Sequence, residues 1–98
     1  MSENIMTDLL TEFKTSIGDF GSANPDSYYL SFLNAARADL STDDIDETVL
    51  NGDLGRVTTV LYAEALMNKT DIATNPTIAL LRNKLAIMTK GGRVDVHE

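Results

Sequence analysis

Residues 53–69, "DLGRVTTVLYAEALMNK", decide how this chain folds. Val57, Val60, Leu61, Tyr62, Ala65, Leu66 and Met67 fall on every side of a 3.6-residue period instead of along one stripe. A helix that is apolar all round is a central one that other elements must cover. Glu64 sits among these positions, where an unpaired carboxylate is costly, so it is expected to be paired, protonated or turned to the rim, as a structural residue and not a catalytic acid.

The flanking segments read as its cover. In residues 6–17, Met6, Leu9, Leu10, Phe13 and Ile17 recur at intervals of three and four and form one stripe, ended by Gly18 and Gly21. Residues 25–40 place Tyr29, Phe32, Leu33, Ala36 and Leu40 on a second stripe opposite Ser27, Ser31 and Asn34, with Asn24 as N-cap and Pro25 in the first turn. Tyr28 lies about a quarter-turn off that stripe, so it covers the core edge or faces a partner, with the core edge the preferred reading. The last segment, 76–90, repeats the Asn-Pro entry with Asn75 and Pro76 and is expected to stop at Gly91 and Gly92. Its core stripe is Ile78, Leu81, Leu85 and Met88. Leu80 and Ile87 form a second line beyond Lys84, which belongs either to a broad buried face or to a second surface that needs covering.

The expected architecture is all-α: one bundle of about four helices over residues 1–92, with 93–98 as a short extended or disordered tail. In that tail Val94 and Val96 alternate with polar residues. They read as a disordered end or, if ordered, as a short strand placed to lie on a neighbouring subunit. A chain of 98 residues has room for one domain and buries roughly 60–70% of its unfolded surface, so assembly would add useful stability.

Composition narrows the function classes. A formal charge of −7 and a pI near 4.4 oppose direct DNA binding, which relies on Lys and Arg to displace counterions from phosphates. The chain has no cysteine, so disulfides and thiolate metal sites are excluded. Neither a secretion signal nor a run of ~20 apolar residues is visible, and synthesis on the cytoplasmic side without membrane contact is expected. His97 is the only histidine, so neither a catalytic triad nor a zinc site can be assembled around it. The acids of "DDIDETVLNG" miss the calcium-loop pattern, because with Asp44 first, Val49 stands at the glycine position and Gly55 at the twelfth. "GDLG" and "KGGR" lack the strand that precedes a phosphate-binding loop and read as turns or caps. No enzyme and no cofactor is expected.

Charge is unevenly placed. Asp39, Asp43, Asp44, Asp46, Glu47 and Asp53 lie in a segment with no base between Arg37 and Arg56, whereas Arg82, Lys84, Lys90 and Arg93 supply half of the basic residues. Two solvated faces would account for this. The sharper expectation is a head-to-tail contact between subunits: Asp43, Asp44, Asp46 and Glu47 of one would meet Arg82, Lys84, Lys90 and Arg93 of the next. Leu80 and Ile87 would provide most of the affinity and the charges the register.

The order of elements resembles the small α-helical head-tail connector, or adaptor, proteins of tailed bacteriophages. The similarity rests on a short opening helix, "MTDLLTEFKTSIGDF", and an alanine-containing helix, "YYLSFLNAARADL". A mostly apolar helix, "RVTTVLYAEALMNKTD", and a closing "NPTIALLRNKL" helix with a tail complete it. It spans nearly the whole chain, with "EALMNK" standing where the family's third helix commonly ends rich in aromatics. The resemblance implies a structural virion protein at the head-tail junction. Such a protein docks beneath the portal as a ring, lengthens the DNA channel without binding DNA specifically, and offers a surface to the stopper or tail-completion protein. The rival reading is an acidic regulatory or inhibitor domain, a DNA mimic, whose residues 39–53 occupy a basic site on another protein.

Overall fold

A computed structural model of the chain describes the backbone of residues 2–18 and 24–94 and the side chains of residues 5–18 and 24–89. Five helices lie among them: α1 (Ser2–Ile17), α2 (Asp26–Ser41), α3 (Glu47–Leu50), α4 (Asp53–Met67) and α5 (Pro76–Val94). The chain is an all-α bundle, and α4 is its centre, since it packs against each of the other four helices. The body measures 52 × 33 × 19 Å. Its short dimension matches about two helix diameters, so the fold is a slab of two helix layers with a thin interior.

The core forms where the stripes meet. Leu9 and Phe13 of α1, Tyr29, Leu33, Ala36 and Leu40 of α2, Val60, Tyr62, Ala63 and Ala65 of α4, and Ile78 and Leu85 of α5 are all buried. Phe13 meets Tyr29 edge-on at 5.7 Å between ring centroids, which joins the first two helices through the favoured T-shaped geometry. Tyr28 stands at the rim and remains 40% exposed, its ring against Phe32 at 5.1 Å. Glu64 is paired, accepting a hydrogen bond from the Ser16 hydroxyl of α1. Arg56 pairs with Glu12 on the same α1–α4 seam.

Thr58 and Thr59 are fully buried although the sequence pattern gave them no core role. Each hydroxyl bonds to the carbonyl one turn back, Thr58 to Leu54 at 2.7 Å and Thr59 to Gly55 at 2.8 Å, so the polar atom is satisfied inside its own helix. The apolar parts are then free to pack. Leu61, by contrast, is only partly buried, and Val57 is 50% exposed. The expectation of an all-round buried helix therefore holds for the side of α4 carrying Thr58, Thr59, Tyr62 and Ala63, but a strip through Val57 and Leu61 stays open.

Two local corrections concern helix starts. Asn24 does not cap α2: Pro25 is the N-cap residue, without a side-chain bond, and the Asn24 amide instead donates to the Tyr29 hydroxyl at 3.2 Å. Asn75 does cap α5, its Oδ1 accepting from the backbone N–H of Ile78 at 3.1 Å. The two Asn-Pro pairs thus differ because a buried tyrosine hydroxyl stands within reach of only one of them.

Two more concern glycine. Gly55 is not in a turn but in the first turns of α4, where a Cβ would sit 2.1 Å from the Leu50 carbonyl oxygen. The absent side chain lets the four-residue α3, which adds to the four helices expected, fold tightly onto α4. At the other end α5 continues through Gly91 and Gly92 to Val94, so the beginning of the expected tail is helical. Glycine weakens a helix by about 1 kcal/mol relative to alanine without forbidding it. Residues 95–98, His97 among them, lie outside the described residues, as does Gly21. Helix α4 ends at Met67 through a Schellman arrangement, with Thr70 N–H on the Ala65 carbonyl and Lys69 N–H on that of Leu66. Lys69 takes the left-handed conformation that glycine usually supplies there.

Replacing Gly55 with Ala is expected to destabilise the fold by roughly 1–3 kcal/mol, because backbone and not a flexible side chain occupies the space. A urea titration with an unchanged midpoint would contradict the tight α3–α4 crossing. In the same assay Leu33→Ala should cost about 2–5 kcal/mol and half-buried Leu61→Ala distinctly less. The reverse order would place the core on the wrong side of α4.

Candidate interaction surface

Helix α5 carries the feature that its own bundle does not use. Ile78 and Leu85 point into the core, and Thr89 joins them, its Oγ1 accepting a hydrogen bond from the backbone N–H of Asp46 at 3.1 Å. Met88, expected on the core stripe, is instead 49% exposed. The reason is helical register: Thr89 falls on the line of buried Ile78 and Leu85, with its hydroxyl satisfied by Asp46 N–H, while Met88 falls at the outer edge. Leu80 and Ile87 are 56% and 58% exposed. The second apolar line is therefore a surface and not a broad buried face. With exposed Lys84 it forms one stripe, Leu80–Lys84–Ile87–Met88, at helical spacing.

The charged residues separate into two groups. Asp43 and Arg82 are brought together within one chain: Arg82 Nε donates to Asp43 Oδ2 at 2.7 Å and Nη2 to Oδ1 at 2.9 Å, a bidentate fork. The guanidinium also lies over the Tyr62 ring, 5.5 Å from its centroid. The hydrogen bond to Asp43 foremost, then the charges of Asp43 and Asp39, hold the Arg82 pKa above its ordinary value against the opposing effect of burial. Arg82 thus stays cationic at any pH used for a folded protein.

This pair corrects the expected patches. Asp43 and Arg82 do not face different subunits but tie the α2–α3 loop to α5 within the monomer. The loop turns sharply at Asp44, whose φ is 62°, so that its neighbour Asp43 turns inward while Asp44 stays exposed. Asp44, Asp46 and Glu47 are exposed, and their carboxylates make no ion pair among the described residues. Lys84 is exposed on the far side of α5 and makes none either. The side chains of Lys90 and Arg93 lie outside the described residues.

A second feature was not anticipated. Between α2 and α4 runs a groove of about 450 Å³ lined by Ala35, Ala38, Asp39, Thr42, Tyr62 and Leu66. Its sequence signal is the pair Ala35 and Ala38, which were legible only as small residues off the core stripe. Among the described residues no three acids or histidines gather closely enough to hold a metal ion, and no helix is long and apolar enough to cross a membrane. Comparison with known proteins returns no matching family model, no matching curated protein and no matching solved structure.

The Asp43–Arg82 fork should act as a tertiary clamp. Asp43→Asn and Arg82→Met are each expected to lower stability by about 1–3 kcal/mol, and the double variant by less than their sum, giving a coupling of about 1 kcal/mol. A double-mutant cycle in urea with no coupling would mean that the two side chains are merely solvated neighbours.

Proposed function

We propose that this chain is a structural subunit of the head-tail connector of a tailed bacteriophage, assembling as a ring beneath the portal and carrying out no catalysis. The observation that carries the reading is the exposed apolar stripe of α5. A 98-residue slab two helices thick leaves Leu80, Ile87 and Met88 outside its own core. Burying such side chains fully is worth roughly 1.5–3 kcal/mol each, which a neighbour can supply and the monomer does not. The order of helices, which resembles that of the connector family, supports the same reading.

In this role the acidic surface has a use. Asp44, Asp46 and Glu47, held outward around α3, would repel phosphates where DNA passes, so that the strand moves without sticking. The portal above and a stopper or tail-completion protein below are the partners this implies, with the assembled virion as the location. The inhibitor reading is the weaker one, because Asp43 is already committed to Arg82 and is not available to a basic partner.

Co-sedimentation with portal rings of tailed bacteriophages tests the proposal. The wild-type chain should pellet with the portal, and Ile87→Lys, still helical by circular dichroism, should reduce its apparent affinity by about tenfold or more. A chain that never pellets with the portal over a wide concentration range would remove the connector reading.

A further inference from the structure

The stripe on α5 and the groove between α2 and α4 have complementary chemistry. The stripe is a row of projecting apolar side chains, Leu80, Ile87 and Met88, interrupted by one exposed cation, Lys84. The groove has small walls at Ala35 and Ala38, an apolar side at Leu66, the buried Tyr62 as floor and an exposed anion, Asp39, at its rim. Asp39 lies near enough to Arg82 to raise its pKa, yet forms no ion pair of its own among the described residues.

Their relative placement matters as much as their chemistry. Arg82 reaches over Tyr62, so the Arg82 side of α5 is the side that borders the groove. Counting around the helix, Leu80, Lys84 and Ile87 stand roughly 140–160° away from Arg82. Stripe and groove consequently face different directions and cannot meet within one chain. Two unlike, outward-facing, complementary patches are what a heterologous contact requires.

We propose that the α5 stripe of one copy of this chain seats in the α2–α4 groove of a second copy, with Lys84 of the first against Asp39 of the second. The contact deepens the reading of the chain as a ring subunit and rests on it. The occupant is a second copy because the groove offers what the stripe lacks, small walls for large side chains and an anion for a cation. The exposed pair sets register and contributes little affinity, while desolvation of Leu80, Ile87 and Met88 provides most of it. Asp43 and Arg82 take no part across the interface; their task is to hold α5 so that its outer side projects.

The absence of cysteine makes a clean test possible, since introduced thiols are the only ones present. Chains carrying Ile87→Cys and chains carrying Ala38→Cys, one of them enlarged by a tag, are mixed in equal amounts and oxidised. The proposal predicts mixed disulfide dimers in excess of the half that random pairing gives. A bulky Ala35→Trp in the Ala38→Cys chain, on an exposed position that leaves the fold intact by circular dichroism, should return the yield to the random level. Predominance of either like-with-like dimer overturns the proposal, as does a mixed yield no higher than that formed in denaturant. Portal co-sedimentation is read separately. A chain that binds the portal without forming the mixed disulfide disproves the groove contact and leaves the connector reading standing. The mixed disulfide without portal binding does the converse.

Discussion

Every helix of this chain is held by α4, and α4 can hold them because of what it leaves out of its side chains. At Gly55 the missing Cβ admits the Leu50 carbonyl and with it the whole of α3. At Thr58 and Thr59 the hydroxyls are turned back onto their own helix, so two nominally polar residues become packing surface. At Ala63 and Ala65 the small side chains let neighbouring helices approach closely. With α3 docked, the loop before it lies beside α5, and Asp43 and Asp46 make long-range bonds to that helix.

Those bonds are polar and few. Asp43 grips Arg82 in a fork, and Asp46 N–H donates to Thr89, so residues within one short loop fix α5 at two places along its length. The consequence is rotational. With Thr89 and Arg82 both turned toward the bundle, Leu80, Lys84, Ile87 and Met88 are turned away from it. The polar contacts of Arg82 and Thr89 and the buried Ile78 and Leu85 thus share one side of α5, and the apolar stripe is the opposite side of the same helix.

The thinness of the slab adds to this. A body 19 Å deep has little interior, so some of its apolar side chains are left at the surface. Tyr28 and Val57 are exposed singly, whereas Leu80, Ile87 and Met88 gather on one side of one helix. The acidic charge is arranged with similar economy. One acid of the 43–47 segment is used to close the fold, while Asp44, Asp46 and Glu47 remain outward.

The sequence by itself determined the helical class, the stripes of α1 and α2 and the central position of α4. All of these rest on a 3.6-residue period that survives in any environment. It also determined that Leu80 and Ile87 lie off the core line of α5, though not that they are exposed. Tertiary structure alone decided the rest. Whether Asn24 caps a helix or bonds to Tyr29, whether Met88 or Thr89 turns inward, and whether Arg82 finds its carboxylate in its own chain all depend on groups distant in sequence. The groove, too, exists only because α2 and α4 pack with Ala35 and Ala38 beside Leu66. Periodicity reports which side of a helix is apolar; it carries no information on which neighbour arrives to cover it, because that is fixed by hydrogen bonds and packing between segments some 40 residues apart, as Asp43 and Arg82 are.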